Sequence, residues 1–153
     1  MFKPELEHVF AYSASLRAPP EAIGPVPEGL RATFYITGGE LTGPKLRGRM
    51  KAVGADWALI RRDGMAELDV RGTFETHDGA QIYVSYRGLG DFGPDGYERF
   101  ASGNLPPKVP LRTMPVMRTA HPDYQWLHRL NFLGIGEVDL TTFTVRYDVY
   151  AVR

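Results

Sequence analysis

A carboxylate held beside a guanidinium stays ionised and oriented, which suits it to act as a base or as an anchor. Asp56 and Arg71 form such a pair if two turn signals are read as two-residue hairpins. These are Asp63-Gly64 and Asp78-Gly79, dipeptides that accept the positive φ angles of such turns. With Arg62 opposite Met65, Leu59 meets Leu68, Trp57 meets Val70 and Asp56 meets Arg71. With His77 opposite Ala80, Phe74 meets Tyr83 and Arg71 meets Tyr86. One face of this sheet then carries Trp57, Leu59, Leu68, Val70, Phe74 and Tyr83, and reads as core. The other carries Asp56, Asp69, Arg71, Thr73, Val84 and Tyr86, a mixed set that suits solvent, a dimer interface or the polar wall of a pocket. A one-residue bulge, for which Gly72 is a natural place, would exchange the two sets. The plainer reading of Asp56 and Arg71 is a cross-strand ion pair on an exposed face, worth only modest stabilisation.

Tyr124 and Trp126, in HPDYQWLHRLN, combine flat apolar bodies with hydrogen-bonding tips. They suit either a clamp on an aromatic ligand or a plug in the end of a barrel. Arg47, Arg49, Arg112 and Arg118 suit either an anion anchor or a solvated exterior, and Arg47 and Arg49 share a face if they share a strand. His8, His77, His121 and His128 show no HExxH spacing and no two-histidine-plus-carboxylate cluster, so no metal site is expected. Gly88, Gly90 and Gly93 match G-x-G-x-x-G after a strand, but Pro94, Asp95 and Gly96 follow where a long helix should begin. The glycines are read as a loop near a barrel mouth. Neither a G-x-S-x-G nucleophile motif nor a phosphate-binding loop is present.

These residues need elements to hold them, and the pattern supplies strands. Phe143, Val145, Tyr147 and Val149 alternate with Thr142, Thr144, Arg146 and Asp148, the period of a half-buried strand. Further strands are expected over Glu7–Leu16, Leu30–Thr37, Lys45–Val53, Asp56–Arg61, Ala66–His77, Ala80–Gly88, Leu111–Arg118 and Gly134–Leu140. Ala18–Gly29, with four prolines, is expected to run as a surface connection without a regular ladder, over one barrel end. Short helices are expected at Pro94–Ala101 and Asp123–Leu130. Many short antiparallel strands joined by tight turns favour an all-β, closed antiparallel barrel, since closure removes the exposed edges. A length of 153 residues, 43% hydrophobic, suits one domain over residues 1–153. Eighteen basic residues balance eighteen acidic ones, so no overall field recruits nucleic acid or an anionic membrane. Cysteine is absent, which removes disulfides, thiolate catalysis and cysteine metal sites. With Glu5 and Glu7 where a signal peptide needs an apolar run, and no stretch of membrane-spanning length, a cytoplasmic protein is expected.

The stretch from Gly38 to Gly79 reads GGELTGPKLRGR, then GADW, then RRDGMAELDVRGTFETHDG. With Gln81 to Val84, Tyr124 and Trp126, it resembles the small-protein family known as DUF3237 or UPF0311. That resemblance implies a calycin-like or lipocalin-like barrel and carries no reaction. Three functional readings remain open. One is an enzyme that needs no cofactor, in which Asp56 and a tyrosine move protons in a lyase, isomerase or cyclase step. Another is a carrier that sequesters a small hydrophobic ligand, and the third a structural homodimer built on aromatic strand faces. The catalytic candidates are Asp56, Arg71 and Tyr124, and the ligand-binding candidates are Trp57, Asp69, Tyr86, Trp126 and Arg49. The expected partner is a small apolar or aromatic molecule.

Overall fold

The computed structural model describes residues 1–153 and places ten strands and two short helices along them. The strands are β1 (Leu6–Leu16), β2 (Glu21–Val26), β3 (Gly29–Thr42), β4 (Gly48–Met50) and β5 (Ala55–Ile60). They continue as β6 (Met65–Thr76), β7 (Gln81–Asp91), β8 (Lys108–Arg118), β9 (Asn131–Asp139) and β10 (Thr144–Val152). Helix α1 (Gly96–Ala101) precedes β8, and a 3-10 helix (Pro122–Arg129) precedes β9. All pairings are antiparallel, in the order β1-β10-β9-β8-β7-β6, then β4 and β5 together, then β3, which pairs back onto β1. The result is a closed barrel of eight staves. On one edge of β3, β5 and β4 succeed one another along a single stave; on its other edge, β2 gives way to β1. No helix is long and apolar enough to cross a membrane.

Alternation builds the interior. β8 alternates exposed and buried along its whole length, and β6 does so nearly as cleanly. A cluster of 35 buried residues fills the barrel. Phe10, Tyr12 and Phe74 make an aromatic plug across its middle, with ring centroids 5.3 to 6.1 Å apart. Helix α1 closes one end through Phe100, whose ring lies 6.3 Å from Phe34 and 6.1 Å from Phe92. The 3-10 helix closes the other end with Tyr124 and Leu127 buried.

Gly88 and Gly90 lie within β7 rather than in a loop, and only Gly93 follows it; two further expectations need correction. Ala18–Gly29 does hold a ladder: β2 pairs with β3, shifting register between Ala22 and Gly24. The strand is largely exposed and takes Pro25 at its margin, where a missing donor costs least. The hairpin registers are also one residue off. Each Asp-Gly belongs to a three-residue loop, in which Arg61 N–H donates to Met65 O and Thr76 N–H to Ala80 O. Gly64 and Gly79 take the left-handed position at φ 87° and 89°, the arrangement of a type I turn followed by a bulge. Asp56 therefore pairs with Val70 rather than Arg71, Arg71 with Ala55 and Ser85, and Phe74 with Ile82 rather than Tyr83. The inward face of β6 is the expected one, but β5 and β7 turn over. Asp56 and Tyr86 point inward; Trp57 and Tyr83 point out, 40% and 48% exposed.

Candidate active site

The inward turn of β5 puts Asp56 into an apolar cavity in the α1 half of the barrel. Eighteen residues line the cavity and seventeen are hydrophobic; Asp56 is the exception. Phe34, Ala58, Leu68, Val70 and Val145 form part of the wall, and Phe92 stands toward α1. About 50 Å3 is open to the centres of water-sized molecules. Asp56 is half-buried by area, and it lines this cavity. Its carboxylate has one backbone donor, the Asp69 N–H at 3.0 Å from Oδ1, which is diverted from the β5–β6 ladder. Burial is the main force on its proton affinity, and the nearby Asp69 carboxylate adds to it, while the Asp69 N–H opposes. The outcome is a pKa pushed up to about 7.

Three tyrosines converge on the same interior. Tyr86 comes from β7 next to Val70, Tyr147 from β10, and Tyr12 from β1 opposite Tyr147. The Tyr12 hydroxyl donates to Tyr86 Oη at 2.8 Å. The Tyr12 and Tyr147 rings stack at 5.2 Å, and the Tyr86 and Tyr147 rings meet edge to face at 5.8 Å. Tyr86 and Tyr147 line the cavity, while Tyr12 stands behind them. Burial raises the proton affinity of all three, and the Asp56 charge adds to it, so each hydroxyl stays protonated. Gly136 makes room for this cluster: a Cβ there would sit 2.5 Å from Cδ1 of Tyr147.

The remaining sequence candidates lie elsewhere. Arg71 is on the outer face, 3.6 Å from Asp69 and 5.8 Å from the centroid of the Trp57 ring, so the Asp56–Arg71 pair does not form. Trp57 and Asp69 share that exterior, and Arg49 bridges Glu75 there at 2.8 Å. Tyr124 and Trp126 belong to the opposite end of the barrel, and neither lines the cavity. Tyr124 donates to Asp78 Oδ1 at 2.9 Å, and Trp126 packs against Phe132 at 6.4 Å. Asp78, His121 and Asp123 bring donor atoms within 4.8 Å of one another on that end's surface. Asp78 already accepts from Thr76 and Tyr124, which holds its carboxyl below the usual range. Of the site residues proposed from sequence, only Asp56 and Tyr86 therefore meet in the cavity. Tyr12 and Tyr147 are not among the sequence candidates, although both fall on the inward phase of alternating strands.

The chain matches the family described as a protein of unknown function, DUF3237, over residues 4–152. A UPF0311 protein of Rhodopseudomonas palustris is 38% identical over 133 residues, which cover 85% of this chain and 86% of that one. A solved structure of a conserved protein of unknown function from R. palustris superposes over the whole of both chains, with a TM-score of 0.86 and 32% identity. A β-barrel-like protein from Acinetobacter baumannii aligns over 100% of this chain and 98% of its own, with a TM-score of 0.84 and 31% identity. An enzyme from Penicillium herquei shares the fold at 20% identity and a TM-score of 0.71, over 100% and 97% of the two chains.

Proposed function

The chain belongs to the DUF3237 family, and for this member we propose a ligand-binding barrel that carries out general acid–base chemistry on a compact apolar or aromatic molecule held in its cavity. Asp56 is the proton-moving group, and Tyr86 and Tyr147 present hydroxyls to the same ligand. The observation that carries this reading is the cavity-facing carboxylate with a proton affinity near neutrality. A general base works best when its pKa lies near the working pH, and burial tunes Asp56 to that range. A barrel built only to carry an apolar ligand would gain nothing from such a group, since an uncompensated buried carboxylate costs stability. The chemistry asks only for positioned groups with tuned proton affinities. That the P. herquei protein of this fold is an enzyme makes catalysis compatible with the architecture.

The carrier reading rests on the seventeen hydrophobic lining residues. One variant separates the two. Native mass spectrometry of the purified protein identifies a retained ligand, and turnover of related compounds is then followed in wild type and in Asp56→Asn. Catalysis by Asp56 predicts that turnover falls by about 10²-fold or more while binding persists. Turnover equal to wild type in folded Asp56→Asn protein would leave carriage as the function.

A further inference from the structure

If Asp56 moves protons as proposed above, the hydrogen bonds and charges around it constrain the substrate. Tyr12 spends its proton on Tyr86 Oη at 2.8 Å. The Tyr86 proton is then left for a ligand or for the Tyr147 hydroxyl, which lies within hydrogen-bonding reach of it. Accepting the Tyr12 bond also polarises the Tyr86 O–H and makes it the stronger donor. Both rings line the cavity. An acceptor oxygen that takes the place of the Tyr86–Tyr147 contact would therefore meet two hydroxyl donors and one carboxylate, and none of the eighteen lining residues is Lys, Arg or His. A substrate that arrived as an anion would meet Asp56 with no countercharge among the lining residues. Negative charge on a bound oxygen suits this site only after Asp56 has itself become neutral.

We infer that the substrate is a neutral carbonyl compound with an acidic C–H beside the carbonyl, and that Tyr86 and Tyr147 form an oxyanion hole for its enolate. In the forward step the Asp56 carboxylate takes the α-proton. The C–H electron pair becomes the carbon–carbon double bond of the enolate, and the carbonyl π pair moves onto oxygen, where the two hydroxyls donate to it. The neutral carboxylic acid then returns the proton, to the same carbon or to one conjugated with it, so no oxidant, reductant or further reactant is consumed. Tyr12 does not line the cavity and acts as a positioning residue, fixing Tyr86 Oη. A cavity this small favours a single ring or a short chain over a fused polycycle.

Para-nitrophenol is a probe for this hole, because its phenolate carries charge on oxygen like an enolate and is yellow while its phenol is not. Asp56→Asn imitates the protein after proton uptake. This variant is expected to bind the phenolate, and adding Tyr86→Phe or Tyr147→Phe is expected to lower the bound phenolate-to-phenol ratio by about tenfold. Tyr12→Phe in the same background should lower that ratio less, without abolishing binding. Nitrophenol held in the neutral form, with a ratio indifferent to both hydroxyls, would overturn the oxyanion hole and leave the ligand-binding barrel standing. Absence of nitrophenol binding to folded wild type and Asp56→Asn alike would overturn both. Benzylammonium bound by wild type and released by Asp56→Asn would make the carboxylate a cation anchor, which also ends the enolate assignment.

Discussion

Replacing Asp56 by Asn should stabilise the protein at alkaline pH and leave it nearly unchanged in acid. Asn keeps the shape of the protonated carboxyl, and its Oδ1 can still accept from the Asp69 N–H. The ordinary carboxyl value of 3.8 rises to about 7 in the folded protein. The sign follows from linkage: the folded state holds this proton more tightly than the unfolded chain, so stability is fully present below 3.8 and is lost as pH rises through about 7. That gap, at about 1.4 kcal/mol per pH unit, comes to about 4 kcal/mol of destabilisation in wild type on the alkaline side. The variant lacks the titration and escapes the loss. Urea unfolding of both proteins at about pH 5 and about pH 8 isolates the effect, because every other titrating group cancels between them. Between those two conditions the advantage of Asp56→Asn should grow by about 3 kcal/mol. An advantage that does not change with pH would mean that the carboxylate is solvated, and the buried general base would be refuted with it. A loss of stability at both values would give Asp56 a structural role that the single backbone hydrogen bond does not suggest.

Filling the cavity tests whether it is the site. Ala58→Leu adds bulk directly to its wall and should abolish binding of the retained ligand, while stability falls by no more than about 3 kcal/mol; bound ligand seen by native mass spectrometry in the variant would place the site elsewhere. On the exterior, Arg71→Ala should cost no more than about 1 kcal/mol in thermal or urea unfolding and leave ligand binding intact, since its partner Asp69 lies across 3.6 Å on an exposed face. Tyr124→Phe removes one hydrogen bond to Asp78 at the far end, and unfolding should report a loss of about 1 kcal/mol with unchanged affinity for the cavity ligand. At Gly136 a methyl group would lie 2.1 Å from Arg146 O and 2.5 Å from Tyr147 Cδ1, so Gly136→Ala should destabilise by several kcal/mol or displace Tyr147, which near-ultraviolet circular dichroism would register.

The barrel was legible in the sequence because alternation along β6, β8 and β10 is nearly unbroken, and a period of two leaves little choice of element. The two short helices were legible for a different reason: each begins near a proline and carries no alternating pattern. The site was legible only in part, and the cause is local. An Asp-Gly dipeptide serves a two-residue turn and a three-residue turn with a bulge equally well, because Asp and Gly both tolerate the positive φ that the first needs at two positions, and the second needs it at the glycine alone. The choice shifts the register by one, and side chains alternate at every residue, so one ambiguous turn inverts a whole strand. In β5 the inward set is Asp56, Ala58 and Ile60, and the outward set is Trp57 and Leu59. Hydrophobicity alone favours burying the tryptophan. The barrel buries the carboxylate instead, against the preference of each residue, and so the departure itself carries information. Local rules are broken where a protein needs a group that folding alone would not place, and a carboxylate among seventeen hydrophobic neighbours is such a group. Two turn glycines, Gly64 and Gly79, set the phase of β5 and β7 and thereby bring Asp56 and Tyr86 to face one interior. Deleting one residue from either loop, to give a two-residue turn, would turn the adjoining strand over and remove its half of the site.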